Sequence, residues 1–187
     1  AALTLARNCW PGPLTLLLYK TSAVSHLVTG GRETVAIRIP ANNCSRQIIK
    51  QCGHALAAPS ANLFGHVSPT TAKHVLDDLG DKVDLIVDDG DCTIGVESTI
   101  VECIDTPTIL RPGSISKDDI EAVLHISMQT DTGESRAPGM LTSHYAPNAR
   151  VVIVETADEL QQQISELSAA GTSCISLHFS SVQEYAF

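Results

Sequence analysis

The chain has 187 residues, 43% of them hydrophobic, which suits one ordinary domain, or one domain and part of a second, and excludes disorder over most of its length. Twelve Lys and Arg against 21 Asp and Glu give a formal charge of −9, so the summed field repels polyphosphate chains and disfavours unspecific nucleic-acid binding. No apolar run approaches the roughly 20 residues that span a bilayer, and the opening residues lack the basic-then-apolar order of a signal peptide, so the expectation is a cytoplasmic protein without a membrane segment.

From the N-terminus, Cys9-Trp10-Pro11-Gly12-Pro13-Leu14-Thr15 sets two prolines and a glycine beside the only tryptophan, then enters an apolar run. This predicts a rigid turn and a strand from Leu14 to Tyr19. A core tryptophan anchoring the turn accounts for the residues without any ligand. The next strand, Val35 to Ile39, carries the lone cation Arg38. Either Arg38 lies on the solvent face of an edge strand, or it meets an anion. A guanidinium clamps a carboxylate or phosphate with two parallel bonds, each charge-assisted bond being worth roughly 1.5–3 kcal/mol.

Ala57-Ala58-Pro59-Ser60-Ala61-Asn62 then brings together small side chains. They let a ligand approach the backbone, and Ser60 and Asn62 place a hydroxyl and an amide on one side of an extended chain; a polar turn is the plainer alternative. Ser68-Pro69 reads as an N-cap and first helical position, with Ala72, Val75, Leu76 and Leu79 on one face and Gly80 ending the helix. Strands are predicted at Leu85 to Val87, Thr99 to Glu102 and Thr108 to Leu110. The second of these follows Gly95-Val96-Glu97-Ser98, and the third runs into Arg111-Pro112-Gly113. An arginine there is suited to an anion at a sheet edge, or is an exposed turn residue.

Ser116 with Asp119 forms a capping box for a helix striped by Ile120, Val123 and Leu124. Ser127 to Pro147 has no period of 2 or 3.6 and reads as a linker, yet it carries Ala137-Pro138-Gly139-Met140 and His144-Tyr145-Ala146-Pro147. A linker laying Tyr145 over a purine, or His144 near a phosphate, would act as a lid; docking on its own domain is the alternative. Beyond it, Val151 to Val154, a helix capped by Thr156 and Glu159 with the stripe Leu160, Ile164 and Leu167, Gly171 as its cap, and Cys174 to Leu177 predict a βαβ unit. The expected division is residues 1–125, a linker over 126–148, and the start of a smaller domain over 149–187. The six cysteines include no C-x-x-C pair and the remaining histidines show no ligand spacing, so no metal site is assigned.

Taken in order, WPGPLT, TVAIRIP, APSAN, the following SPT, GVESTIV, LRPG, APGM and HYAP closely resemble the YrdC-like threonylcarbamoyl-AMP synthase family in its long, two-domain form. The resemblance covers about residues 3 to 155. It implies an α/β (α+β) YrdC-like twisted mixed sheet with helices, here the C-terminal portion of the catalytic domain, followed by the linker and the start of a Rossmann-like domain. It implies a nucleotidyltransferase that converts L-threonine, bicarbonate or CO2 and ATP into threonylcarbamoyl-AMP and diphosphate, with Mg2+ on the phosphates. A transfer RNA threonylcarbamoyl-transferase complex then modifies the adenosine next to the anticodon.

Carried over by motif, Arg38, Ala58 and Ser98 would bind threonine. Thr34, Ser60, Asn62, Ser68 and Arg111 would line the nucleotide and phosphate side, and Tyr145 would close over the nucleotide. The family begins with roughly 80 to 100 further residues bearing a Lys-x-Arg phosphate motif, so this polypeptide alone is expected to have little or no synthase activity. Between APGM and HYAP, Leu141-Thr142-Ser143 offers no charge to a phosphate. A YrdC-like carbamoyl-transfer domain of hydrogenase maturation is disfavoured by the HYAP string. A non-catalytic module contacting transfer RNA or double-stranded RNA is disfavoured by the acidic balance.

Overall fold

The structure is a computed structural model that describes residues 1–130 and 149–177 and the backbone of 182–185. The chain divides into two compact units, Ala1–Pro147 and Asn148–Phe187. In the first, helix α1 (Ala2–Cys9) leads into strand β1 (Leu14–Tyr19), then come α2 (His26–Thr29), β2 (Thr34–Ile37), α3 (Asn43–Cys52) and α4 (Ala72–Leu79) with a 3-10 turn at Gly80–Lys82. After a long irregular stretch follow β3 (Thr99–Glu102), β4 (Thr108–Arg111), α5 (Lys117–Leu124) and β5 (Gln129–Thr130).

These strands form one mixed sheet in the order β2-β1-β3-β4-β5. β1 runs parallel to β3 in the register Leu14↔Thr99 and antiparallel to β2 in the register Leu16↔Ile37. The central strands are apolar on both faces, so their sequence reads as a continuous run rather than an alternation. One face carries Leu14, Leu16, Val101 and Ile109, which pack with Leu5 of α1, Ile120 of α5 and Met128 into the main core. The other carries the smaller cluster Leu17, Ile100 and Leu110. The capping box of Ser116 and Asp119 holds α5 at the start that the sequence predicts.

Several boundaries move. Strand β2 ends at Ile37 instead of Ile39, because Pro40 has no amide to donate and the Ile39 carbonyl instead accepts from Gly12 N (2.9 Å). Helix α4 begins at Ala72, not after Ser68, because Thr71 caps it through a bond from His74 N to Thr71 Oγ1 (3.1 Å). Leu85 to Val87 form no strand: Leu85 is 78% exposed, and an apolar run without a partner strand has nothing to pair with.

In the second unit α6 (Ala157–Ala169) has the predicted capping box of Thr156 and Glu159, and β6 (Cys174–Leu177) is the predicted strand. Val151 to Val154 form no strand, and β6 pairs antiparallel with β7 (Val182–Tyr185), so among the described residues this unit shows a helix and a two-stranded ribbon, without the parallel pair of a βαβ unit.

Candidate functional site

Polar groups collect at the end of the sheet where β1 and β3 begin and β2 and β4 end. Ser98, just before β3, is 6% exposed, and its hydroxyl lies 2.7 Å from the hydroxyl of Thr15 on β1, itself 9% exposed. Arg111 closes the corner. Its Nη2 donates to the Ser98 carbonyl (2.9 Å) and hydroxyl (3.2 Å), and its Nε donates to the same carbonyl (3.2 Å).

The register explains why the arginine points there. Val101 pairs with Ile109 and Ile100 with Arg111, so a bulge leaves two residues of β4 opposite one step of β3. It sets Arg111 on the face of Ile100, where Ser98 and Thr15 also lie. The turn after Arg111 is laced back onto the same segment. Ser114 N donates to the Glu97 carbonyl (3.2 Å), while Thr99 Oγ1 donates to the Ile115 carbonyl (2.7 Å) and accepts from Ile115 N (3.1 Å). At Gly113 a Cβ would strike the Glu97 carbonyl and the Thr99 amide, so only glycine allows this approach.

Arg38 follows the last paired residue of β2, and continuing the antiparallel register by one step sets it opposite Thr15, on the face that bears Ser98 and Arg111. It is exposed and has no hydrogen-bond or ion-pair partner among the described residues. Thr34, at the start of β2, pairs with Tyr19 and shares this face at the strand's far end. The pairing registers thus set Arg38, Ser98 and Arg111 on one face at one end of the sheet, while Ser60, expected to converge with them, has no hydrogen bond to that corner.

Ala58 and Ser60 lie in exposed irregular chain, with no hydrogen bond to that corner. Tyr145 and the rest of its motif lie outside the described residues.

Asn62 and Ser68 belong to a second group. The Asn62 amide donates to the carbonyls of Leu63 (2.8 Å) and His66 (3.1 Å). Asp78, on α4, accepts from Leu63 N (2.6 Å) and meets His66 Nδ1 (2.7 Å). The Leu63 amide bond above all, then the His66 ring, hold the Asp78 carboxyl below the usual carboxylate range against partial desolvation. Asn62 Oδ1 and Ser68 Oγ are buried without a hydrogen-bond partner. Both residues border a cavity of about 320 Å3, lined also by His66, His74, Asp77 and Asp78.

Thr15 and Asp78 escaped the sequence reading. Thr15 stands inside the proline-rich string, where only its strand position could have marked it, and nothing in the spacing of Asp78 points to a loop 15 residues earlier. Chemically, the corner offers a guanidinium and two hydroxyls, and the loop offers an acceptor and a hydroxyl. Among the described residues no group of His, Cys, Asp and Glu could hold a metal ion.

Comparison with known proteins identifies the family. The Sua5/YciO/YrdC family profile, described as "Telomere recombination", matches residues 1–113, and the profile "Threonylcarbamoyl-AMP synthase, C-terminal domain" matches residues 115–186. The threonylcarbamoyl-AMP synthase of Pyrococcus abyssi is 42% identical over 173 residues, covering 88% of this chain and 51% of that protein. That of Bacillus subtilis is 45% identical over 178 residues, covering 91% and 51%. The crystal structure of P. abyssi Sua5 complexed with L-threonine superposes with a TM-score of 0.82 at 41% identity, covering 90% of this chain and 52% of that one. The chain thus spans about half the length of the curated relatives it matches. With the first profile taking in more than half of the residues and the second continuing from it, this chain belongs to the Sua5/YciO/YrdC family, in its two-domain form.

Proposed function

We propose that this chain serves the synthesis of L-threonylcarbamoyl-AMP, a nucleotidyl transfer from ATP. The amine of threonine takes up CO2, supplied as bicarbonate, to give a carbamate. A carbamate oxygen attacks the α-phosphorus, the bond from that phosphorus to the bridging oxygen breaks, and diphosphate leaves. No protein nucleophile is needed, so the chain's part is positioning and charge neutralisation. Arg38 holds the threonine carboxylate, with Ala58 and Ser98 beside it. Thr34, Ser60, Asn62, Ser68 and Arg111 face the nucleotide, and Tyr145 closes over it.

The observation that carries this reading is the corner itself: Arg111 locked onto Ser98, with an unpartnered Arg38 on the same face, in a chain of this family. Mg2+ enters as an ion carried on the phosphates of ATP, where it would offset their charge; the described residues offer it no ligand cluster, and no step is derived through it. The product goes to a threonylcarbamoyl-transferase complex acting on transfer RNA, which sets the proposed compartment as the cytoplasm. No helix among the described residues is long and apolar enough to cross a membrane.

Calorimetric titration of the chain with L-threonine, beside an Arg38→Ala variant, tests the reading. Loss of a charge-assisted bond raises the threonine Kd about tenfold or more in the variant. The melting temperature stays unchanged, because Arg38 is exposed and without a partner. Equal threonine affinity in the two chains, or tight transfer RNA binding without any threonine binding, overturns it.

A further inference from the structure

The proposed reaction assigns no part to Thr15, although its hydroxyl stands in the middle of the corner. Thr15 and Ser98 bring two hydroxyl hydrogens to a single contact of 2.7 Å, and one hydrogen fills it. The other has no acceptor among the described residues, because the remaining bond to either hydroxyl is one that Ser98 Oγ accepts, from Arg111 Nη2 at 3.2 Å. A hydroxyl that accepts from a guanidinium becomes the stronger donor, so the bonds run in one direction, from Arg111 to Ser98 to Thr15. The hydrogen left over is the one on Thr15 Oγ1.

The strand on the other side of Thr15 is β2. Lys20 N donates to the Glu33 carbonyl (2.9 Å), which makes these two residues a hydrogen-bonded pair. Pair types alternate along an antiparallel ladder, so Leu16 and Ile37 repeat that type. One further step sets Thr15 opposite Arg38 in the closer, non-hydrogen-bonded type, with Cα atoms about 4.5 Å apart. Side chains opposed in this way share a face and come within reach of one another. Arg38 is exposed and has no partner among the described residues, so this end of the ladder is open to solvent.

From this placement we infer that Thr15 is a further substrate-binding residue: its hydroxyl donates to the carboxylate that Arg38 clamps, so neighbouring strands hold one anionic group with a guanidinium and a hydroxyl. A carboxylate has about four lone-pair sites, enough for two guanidinium bonds and one more from Thr15. The inference rests on the reading of Arg38 as the carboxylate holder and adds to it a residue that the reading does not include.

The test is calorimetric titration with L-threonine and with L-threoninamide, which keeps the amine and the side chain and lacks the carboxylate. It compares the wild-type chain with Thr15→Val, Thr15→Ser and Arg38→Ala. The ratio of the two affinities within one protein does not depend on how much of that protein is folded. In the wild type, threonine binds more tightly than its amide. Thr15→Val keeps the shape and loses the hydrogen, and the preference for threonine falls about tenfold, as for loss of a bond to a charged group. Thr15→Ser keeps the hydroxyl and recovers most of the preference.

If Arg38→Ala lowers the preference and Thr15→Val does not, the assignment of Thr15 is overturned and the reading of Arg38 stands. Equal weakening of threonine and its amide in Thr15→Val means that the hydroxyl only supports the fold, and the assignment is again overturned. A wild-type chain without any preference for threonine over its amide, or an Arg38→Ala chain that keeps the preference, overturns the reading of Arg38 and the bond from Thr15 together.

Discussion

The corner of Thr15, Ser98 and Arg111 and the loop from Asn62 to Ser68 both present polar atoms near a possible ligand, by opposite means. In the corner, sheet register sets the backbone, and the Thr15 and Ser98 hydroxyls are bonded to each other, although the Ser114 hydroxyl of the adjoining turn is buried without a partner. In the loop no strand helps; one carboxylate on a neighbouring helix holds the chain, and two polar atoms are left without partners. A buried group left unsatisfied costs about 1–3 kcal/mol, a cost that the bond between Thr15 and Ser98 spares both hydroxyls.

That contrast can be broken most severely at Gly113. In Gly113→Ala the new Cβ meets backbone of Glu97, Ser98 and Thr99, none of which can swing aside like a flexible side chain. The expected loss is about 3 kcal/mol in urea unfolding, as for an overpacked core. A loss under about 0.5 kcal/mol would show that the turn is not pressed onto the Ser98 segment.

A smaller effect is expected at Thr15. Thr15→Val keeps the shape and deletes the hydroxyl partner of Ser98, costing about 1 kcal/mol. Thr15→Ser keeps that hydroxyl and restores part of the loss. Valine and serine variants of equal stability would remove the Thr15 to Ser98 bond from the account.

The smallest effect separates the two regions by pH. The Asp78 carboxyl is held below its ordinary range chiefly by the Leu63 amide. Its contribution is complete above the unfolded carboxylate's pKa, near 4, and disappears as pH falls through the lowered folded value. Between those limits, after correction for intrinsic exchange, the Leu63 amide loses protection while Val101 in the sheet keeps it. Loss of protection at Val101 first would reverse the ranking of the two regions.

Local signals were legible where their chemistry is local. The capping boxes of Ser116 with Asp119 and Thr156 with Glu159 close within four residues, and the helices start where those pairs say. Strand β1 was plain from its proline-rich entry and unbroken apolar run. Helix α1 escaped because no side chain caps its start, and its place in the fold comes from Leu5 entering a core built by strands far along the chain. Leu85 to Val87 and Val151 to Val154 carry strand-like composition without a strand, since a ladder needs a second chain segment that composition cannot supply. Within the site, Arg38, Ser98 and Arg111 were named from their motifs, and their common sheet face follows from pairing registers that no single motif contains.

By itself the amino-acid order determined the family and the capping boxes of Ser116 with Asp119 and Thr156 with Glu159, because each of these depends on side-chain identity or on neighbours within a turn of chain. Only the tertiary structure decided that Thr15 meets Ser98 across 83 positions, that a bulge turns Arg111 toward them, and that Asp78 clamps a loop 12 to 15 residues before it. Contacts of that kind exist only once loops have closed and strands have paired, and the free energy that selects them belongs to the assembled sheet and helices, not to any short stretch of sequence.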